Sequence, residues 1–184
     1  MISVNGYSDA ILKRVSATLE EFDYDSLERV VDLILRADRI FVVGRGRSDL
    51  VAKSFAYRLL DLGIRGFVVG ESITPSTTKN DCLIAISGSG ETVFTLNAAR
   101  LAKQVSAQLV VFTSYPDSPL GKLSDLVVRI KGRRKGSPED PDYMARQITG
   151  AHEPFDTSGI VFEVSTMIVL ESGILELYDR ISRE

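Results

Sequence analysis

The sequence predicts an α/β fold: a three-layer αβα sandwich around a five-stranded parallel sheet, with N-terminal helices before it and a long C-terminal helix after it. Three observations carry that expectation. Five short apolar runs rich in Val and Ile do not alternate with polar residues, the pattern of strands covered on both faces. Helical stretches separate most of these runs. Two of the runs empty directly into turns built of glycine and hydroxyl residues.

In chain order, residues 8–36 carry two helical patterns. Ile11, Leu12, Val15, Leu19 and Phe22 share one face, and Leu27, Val30, Val31, Ile34 and Leu35 another. Ser26 stands where the second helix would take its N-cap. The period then changes over an α/β core at about 39–130. The strand-like runs are Arg39 to Gly44, Phe67 to Gly70, Cys82 to Ser87, Leu109 to Ser114 and Leu126 to Ile130. Helices are expected near 48–62 and 91–104, with a short turn near 118–123 and a looser link from 70 to 82. Residues 131–156 are polar, basic at the start and broken by prolines, the character of a functional or mobile loop. The last helix is expected at 157–181, capped by Thr157 or Ser158. It is apolar on nearly all sides and therefore covered on more than one side, by core or by a second subunit. Met167 and Leu170 are candidate interface positions. The 184 residues are expected to form a single domain.

Bulk composition narrows the function. The chain is 44% hydrophobic and 26% charged, with a net charge of −3. That balance argues against a general nucleic-acid binder and leaves room for a small anionic ligand. No secretory pattern or membrane-length apolar run is present. The one cysteine, Cys82, lies inside a strand-like run and reads as a small buried hydrophobe in a reducing compartment. A cytoplasmic location is expected.

Two strand–turn–helix junctions carry the chemistry. Gly44-Arg45-Gly46-Arg47-Ser48-Asp49 follows the first strand, and Ser87-Gly88-Ser89-Gly90-Glu91-Thr92 the third. Each places flexible backbone and hydroxyls at a helix start, where free N–H groups and the helix dipole favour an anion. Serine and threonine also serve as plain helix caps at such places. With the strand order 2-1-3-4-5, both turns would meet at the switch point between the first and third strands, where ligands of open α/β sheets sit. The dinucleotide fingerprint is incomplete at Asp49, and no Walker loop is present, since Glu91-Thr92 follows Gly90. A phosphorylated small molecule fits better. Ser48, Ser87, Ser89 and Thr92 are the candidate phosphate ligands. Arg133, Arg134 and Lys135 read as a solvated charge run.

These segments resemble a known family. VVGRGRSDLVAKSFAYRL, GESITPS, DCLIAISGSGET and FTSYPDSPLGKLSD are similar to the SIS (sugar isomerase) domain, whose sheet has the flavodoxin-like strand order. With RQITGAHEPFDTSGIVFE the pattern resembles the 6-phospho-3-hexuloisomerases from about residue 10 to 180. Asp49 stands where that family usually has a small residue, and Thr77-Thr78-Lys79-Asn80 varies a turn that often carries glycine. The resemblance implies that D-arabino-3-hexulose 6-phosphate and fructose 6-phosphate are interconverted through a cis-enediol. It implies no metal or organic cofactor. It also implies a link to 3-hexulose-6-phosphate synthase in the ribulose monophosphate pathway of formaldehyde assimilation or in pentose supply. A homotetramer whose sites a neighbouring subunit completes is expected on the same ground. The resemblance makes Glu153 the catalytic base and His152 its polarising partner, and it sets Arg47 on the phosphate or an enediolate oxygen. A non-catalytic SIS module that senses a sugar phosphate is the competing expectation, and a nucleotide-binding module is disfavoured by the broken fingerprints.

Overall fold

The strands are Ile40–Val43 (β1), Gly66–Val68 (β2), Cys82–Ile86 (β3), Gln108–Thr113 (β4) and Leu126–Arg129 (β5). They form one parallel sheet in the order β2-β1-β3-β4-β5. This computed structural model describes residues 4–133, 145, 148–150 and 157–183. The helices are Val4–Glu20 (α1), Tyr24–Arg36 (α2), Arg47–Asp61 (α3), Val93–Gln104 (α4), Pro119–Leu123 (α5) and Thr157–Ile181 (α6).

Strand periodicity sorts the core into two layers. Ile40, Val42, Ile84, Ile86, Val110 and Phe112 point to one face, where α2, α3 and α6 supply Val30, Ile34, Phe55, Leu59, Leu170 and Ile174. Phe41, Val43, Leu83, Ala85, Leu109 and Val111 point to the other, against Ala99 and Ala102 of α4 and Leu120 of α5. β1, β3 and β4 are buried almost throughout, as an unalternating apolar sequence requires. The edge strands are the exception. β2 is half-buried along its length at one edge of the sheet, and β5, the other edge, is buried only at Leu126 and Val128.

The link from 70 to 81 has no regular element and is fastened at its end. Asp81 is fully buried. Its carboxylate accepts Nε and Nη2 of Arg39 at 2.9 and 2.7 Å, and the backbone N–H and hydroxyl of Thr78 at 2.6 and 2.9 Å. Burial pushes its pKa up, but the Arg39 and Thr78 bonds outweigh that and leave it below the ordinary carboxylate value. The Thr77–Asn80 turn is thus a structural clasp at the N-terminal end of β3.

Three expectations, two at helix starts and one on the face of α6, are corrected. α2 begins two residues ahead of Ser26, with Asp23 at the cap position, and the Ser26 hydroxyl donates to the Asp23 carbonyl at 2.6 Å from inside the first turn. Thr157 and Ser158 both lie within α6. Leu170, expected at an interface, is a core residue at 2% exposure, whereas Met167 is 38% exposed. Leu12 of the first apolar set is exposed as well.

Candidate functional site

β1 and β3 are neighbours in register, with Val43 opposite Ala85. From β1 the chain crosses through α3 to β2 on one side, and from β3 through α4 to β4 on the other. The switch point lies between them, and the two glycine–hydroxyl turns leave the strand ends there.

In the second turn, Ser87 is buried at 2% exposure. Its Oγ lies 3.0 Å from Oγ1 of Thr92 and accepts the Gly90 N–H at 3.2 Å. Ser89 is half-buried, and its Oγ accepts the Glu91 N–H at 3.2 Å. Thr92 holds the N-cap position of α4, yet its side chain caps no helix N–H. Its hydroxyl faces Ser87 instead, with either oxygen able to donate, so the first turn of α4 keeps its N–H groups for another acceptor. Plain capping does not account for this threonine. Glu91 is exposed. Gly90 has φ 68°, and a Cβ there would stand 1.9 Å from Oγ of Ser118. The Gly90 carbonyl accepts the Leu120 N–H at 3.1 Å, which ties the turn to α5.

In the first turn, Gly46 is the N-cap of α3, with φ 61° and ψ −129°, a conformation open to glycine. No side chain caps α3 either. Ser48 is half-buried in its first turn. The Arg45 guanidinium lies 3.8 Å from the ring centre of Phe94 on α4, joining the two junctions by a cation–π contact. The Asp49 carboxylate meets Nζ of Lys53 at 3.2 Å, and Lys53 also meets Glu71 at 3.0 Å, so the unusual acid is paired along its own helix. Arg47 is half-exposed, with its Nε 2.6 Å from Oε2 of Glu163 on α6.

Two site residues escaped the sequence reading. Arg133 is not part of a solvated run. Its N–H donates to Oγ of Ser114 at 3.1 Å and its carbonyl accepts the Tyr115 hydroxyl at 2.7 Å. The side chain lies across the second turn: its Cβ and Cγ are 3.0 Å from where a side chain on Gly88 would begin. Glu163 is the other. Burial raises its pKa against the opposing pull of Arg47 and Arg133. The usable signal was that Glu163 is the one charged residue between Gly159 and Leu170. His152, Glu153, Arg134 and Lys135 lie outside the described residues.

Around the switch point the structure therefore brings together Ser87, Thr92 and Ser89 in one turn, Arg47 and Ser48 in the other, and Arg133 across Gly88. Such a set can hold a phosphate by backbone N–H groups, hydroxyls and guanidinium donors. Among the described residues no cluster of His, Cys, Asp and Glu is placed to hold a metal. Cys82 is buried, and burial pushes its thiol up to about 12, so it packs as an inert small side chain.

The model of the SIS domain matches residues 33–137, which contain both turns. The chain belongs to the SIS domain family. An uncharacterized protein of Aeropyrum pernix is 48% identical over 168 residues, covering 89% of this chain and 79% of its own length. A 3-hexulose-6-phosphate isomerase of Bacillus subtilis is 33% identical over 174 residues, 95% of this chain and 89% of that protein. A crystal structure from Methanococcus jannaschii, from which a 3-hexulose-6-phosphate isomerase function was inferred, superposes with a TM-score of 0.75 at 28% identity. It covers 96% of this chain and 91% of its own. The SIS reading of the sequence and its strand order agree with these likenesses.

Proposed function

We propose that this SIS protein is a phosphosugar isomerase that interconverts D-arabino-3-hexulose 6-phosphate and fructose 6-phosphate. One observation carries the reading: relatives named for that reaction match nearly end to end, across both open helix starts. The whole chain, residues 1–184, is proposed to act as one SIS unit, with 131–156 as its site loop.

The phosphate end of the substrate fits Ser48, Ser87, Ser89 and Thr92 at the starts of α3 and α4. Arg47 adds a guanidinium fork for the phosphate or for an enediolate oxygen. The reaction moves the carbonyl between neighbouring carbons. A base removes the proton from C2 of the 3-ketose, the charge spreads over O2 and O3 as a cis-enediolate, and the proton returns to C3. Glu153 is the proposed base and His152 the group that polarises the carbonyl or passes protons between the oxygens.

The assembly belongs to the same reading. Val4, Tyr7 and Leu12 on α1 and Met167, Ile168, Leu175 and Tyr178 on α6 are exposed, more apolar surface than two packed helices leave to water without a partner. A homotetramer with sites completed by neighbouring subunits accounts for it. A cytoplasmic location and supply of substrate by 3-hexulose-6-phosphate synthase, in formaldehyde assimilation or pentose supply, complete the proposal. No helix among the described residues is long and apolar enough to cross a membrane.

A coupled assay over a panel of ketose and aldose phosphates tests the function. Fructose 6-phosphate is expected from the 3-hexulose alone. Binding without turnover would assign the chain to the non-catalytic sensors, and neither binding nor turnover would refute the reading.

A further inference from the structure

Glu163 has no obvious reason to be where it is. The surrounding α6 sequence is apolar, and the carboxylate is only 13% exposed. Together with Arg47 it lines a groove of about 230 Å³ between α3 and α6 whose other walls are Leu50, Val51, Val164, Met167 and Ile168. Placing a charge in such surroundings is unfavourable unless it is compensated. Oε2 sits 2.6 Å from Nε of Arg47, a close ion pair whose N–H···O angle departs from ideal hydrogen-bond geometry. Arg133 contributes the second positive field.

A structural staple between α3 and α6 already exists. Arg58 Nε donates to Glu171 at 3.0 Å further along both helices, and there both side chains are well exposed. Glu163 differs in being mostly shielded, with Oε2 itself buried, and in meeting an arginine at the start of α3, beside the uncapped turn. Glu163 is the ion-pair partner of Arg47, met most closely at Nε, and among the described residues neither Nη group of that guanidinium makes a hydrogen bond.

We propose that Glu163 is a positioning residue of the phosphosugar site, holding Arg47 by Nε so that its two Nη groups are presented to the ligand's phosphate or enediolate oxygen. The inference rests on the isomerase reading above. Arginine gives up rotamer freedom when it engages an anion, and a guanidinium already held has given it up beforehand. The carboxylate does not repel the incoming phosphate strongly, since Arg47 and Arg133 already offset its charge.

The test is a double-mutant cycle. Glu163→Gln keeps the shape and removes the charge; Glu163→Asp keeps the charge and withdraws it. Both are made in the wild-type and Arg47→Ala backgrounds. KM and kcat for 3-hexulose 6-phosphate, Kd for fructose 6-phosphate by calorimetry, and Tm are measured. Glu163→Gln is expected to raise KM and Kd by about three- to tenfold, with a much smaller change in kcat. Glu163→Asp should fall between, and neither should matter once Arg47 is alanine. A fall in Tm with KM unchanged, or the same change in KM in both backgrounds, would overturn the inference and leave Glu163 a helix staple. If Glu163→Gln does not fold, the Glu163→Asp series decides by the same criterion. A wild-type protein that neither binds nor turns over these sugars fails the isomerase reading itself and takes this inference with it; an active wild type with indifferent variants fails the inference alone.

Discussion

The hydroxyls of Ser87 and Thr92 stand 3.0 Å apart, closing the turn between β3 and α4 on itself. The threonine that should cap α4 therefore does not, and the helix start stays open. Ser87 gains a fixed orientation at the end of a buried strand, and the α4 N–H groups gain no internal acceptor. The arrangement is costly for a helix and useful for an anion.

Thr92→Val keeps the branched shape and removes the hydroxyl. It leaves Ser87 with the Gly90 N–H as its remaining bond in the turn and deprives a bound phosphate of one donor. We expect KM for the phosphosugar to rise about tenfold, the scale of one hydrogen bond to a charged group. Ser89→Ala should act in the same direction, chiefly on KM. Steady-state kinetics check both, and an unchanged KM in both variants would remove this turn from the phosphate site.

Asp81 makes acid stability predictable. Its carboxyl is held below the ordinary value of 3.8 in the folded chain. A carboxylate whose pKa is depressed by folding stabilises the native state fully above its unfolded pKa, and that contribution is lost as pH falls through the folded value. Asp81→Ala leaves Arg39 and Thr78 without their shared acceptor. It should cost roughly 3 kcal/mol near neutral pH, the low end for breaking a buried pair, because Arg39 is partly exposed. Urea midpoints of wild type and variant should converge below about pH 4. A gap independent of pH would contradict the assignment.

The exposed and buried faces of α6 make opposite predictions. Met167→Glu should split the assembly while the subunit stays folded, and sedimentation reads the change. Leu170→Ala should leave the contacts between subunits alone and destabilise the fold by about 2–5 kcal/mol, the usual range for truncating a buried leucine. A wild-type chain that sediments as a monomer at micromolar concentration would refute the oligomer.

Glu153→Gln removes basicity with little change of shape. Turnover should drop by ~10²–10⁴-fold while fructose 6-phosphate still binds. Near-normal turnover would move the base elsewhere, with His152 or Glu91 next to be tested.

Much of the fold was legible because a parallel sheet covered on both faces leaves long unmixed apolar runs rich in Val and Ile, and glycine followed the ends of most of them. β2 shows the limit of composition alone: Phe67-Val68-Val69 reads like an interior strand, and only the expected 2-1-3-4-5 order puts it at an edge, where it is half-buried. Ser26 looked like a cap because it precedes the apolar face; the helix instead begins at Tyr24, whose ring packs edge-on against Phe22 with centroids 4.9 Å apart. The hydroxyl turns were readable from local chemistry alone. Arg133 was not, because its order comes from Ser114 and Tyr115, nineteen and eighteen residues away. Glu163 was not, because its partner lies on a helix more than a hundred residues earlier.

The most direct test of the central claim is where solvent deuterium enters fructose 6-phosphate. Proton NMR of fructose 6-phosphate incubated with the wild-type protein in D₂O should show loss of the C3 proton signal, because the enediol formed between C2 and C3 takes its proton back from a base that has exchanged with solvent. Deuterium at C1 would mark an aldose–ketose isomerase acting on the other neighbour of the carbonyl. That result, or no exchange at any carbon with a bound sugar, would contradict the 3-hexulose isomerase reading.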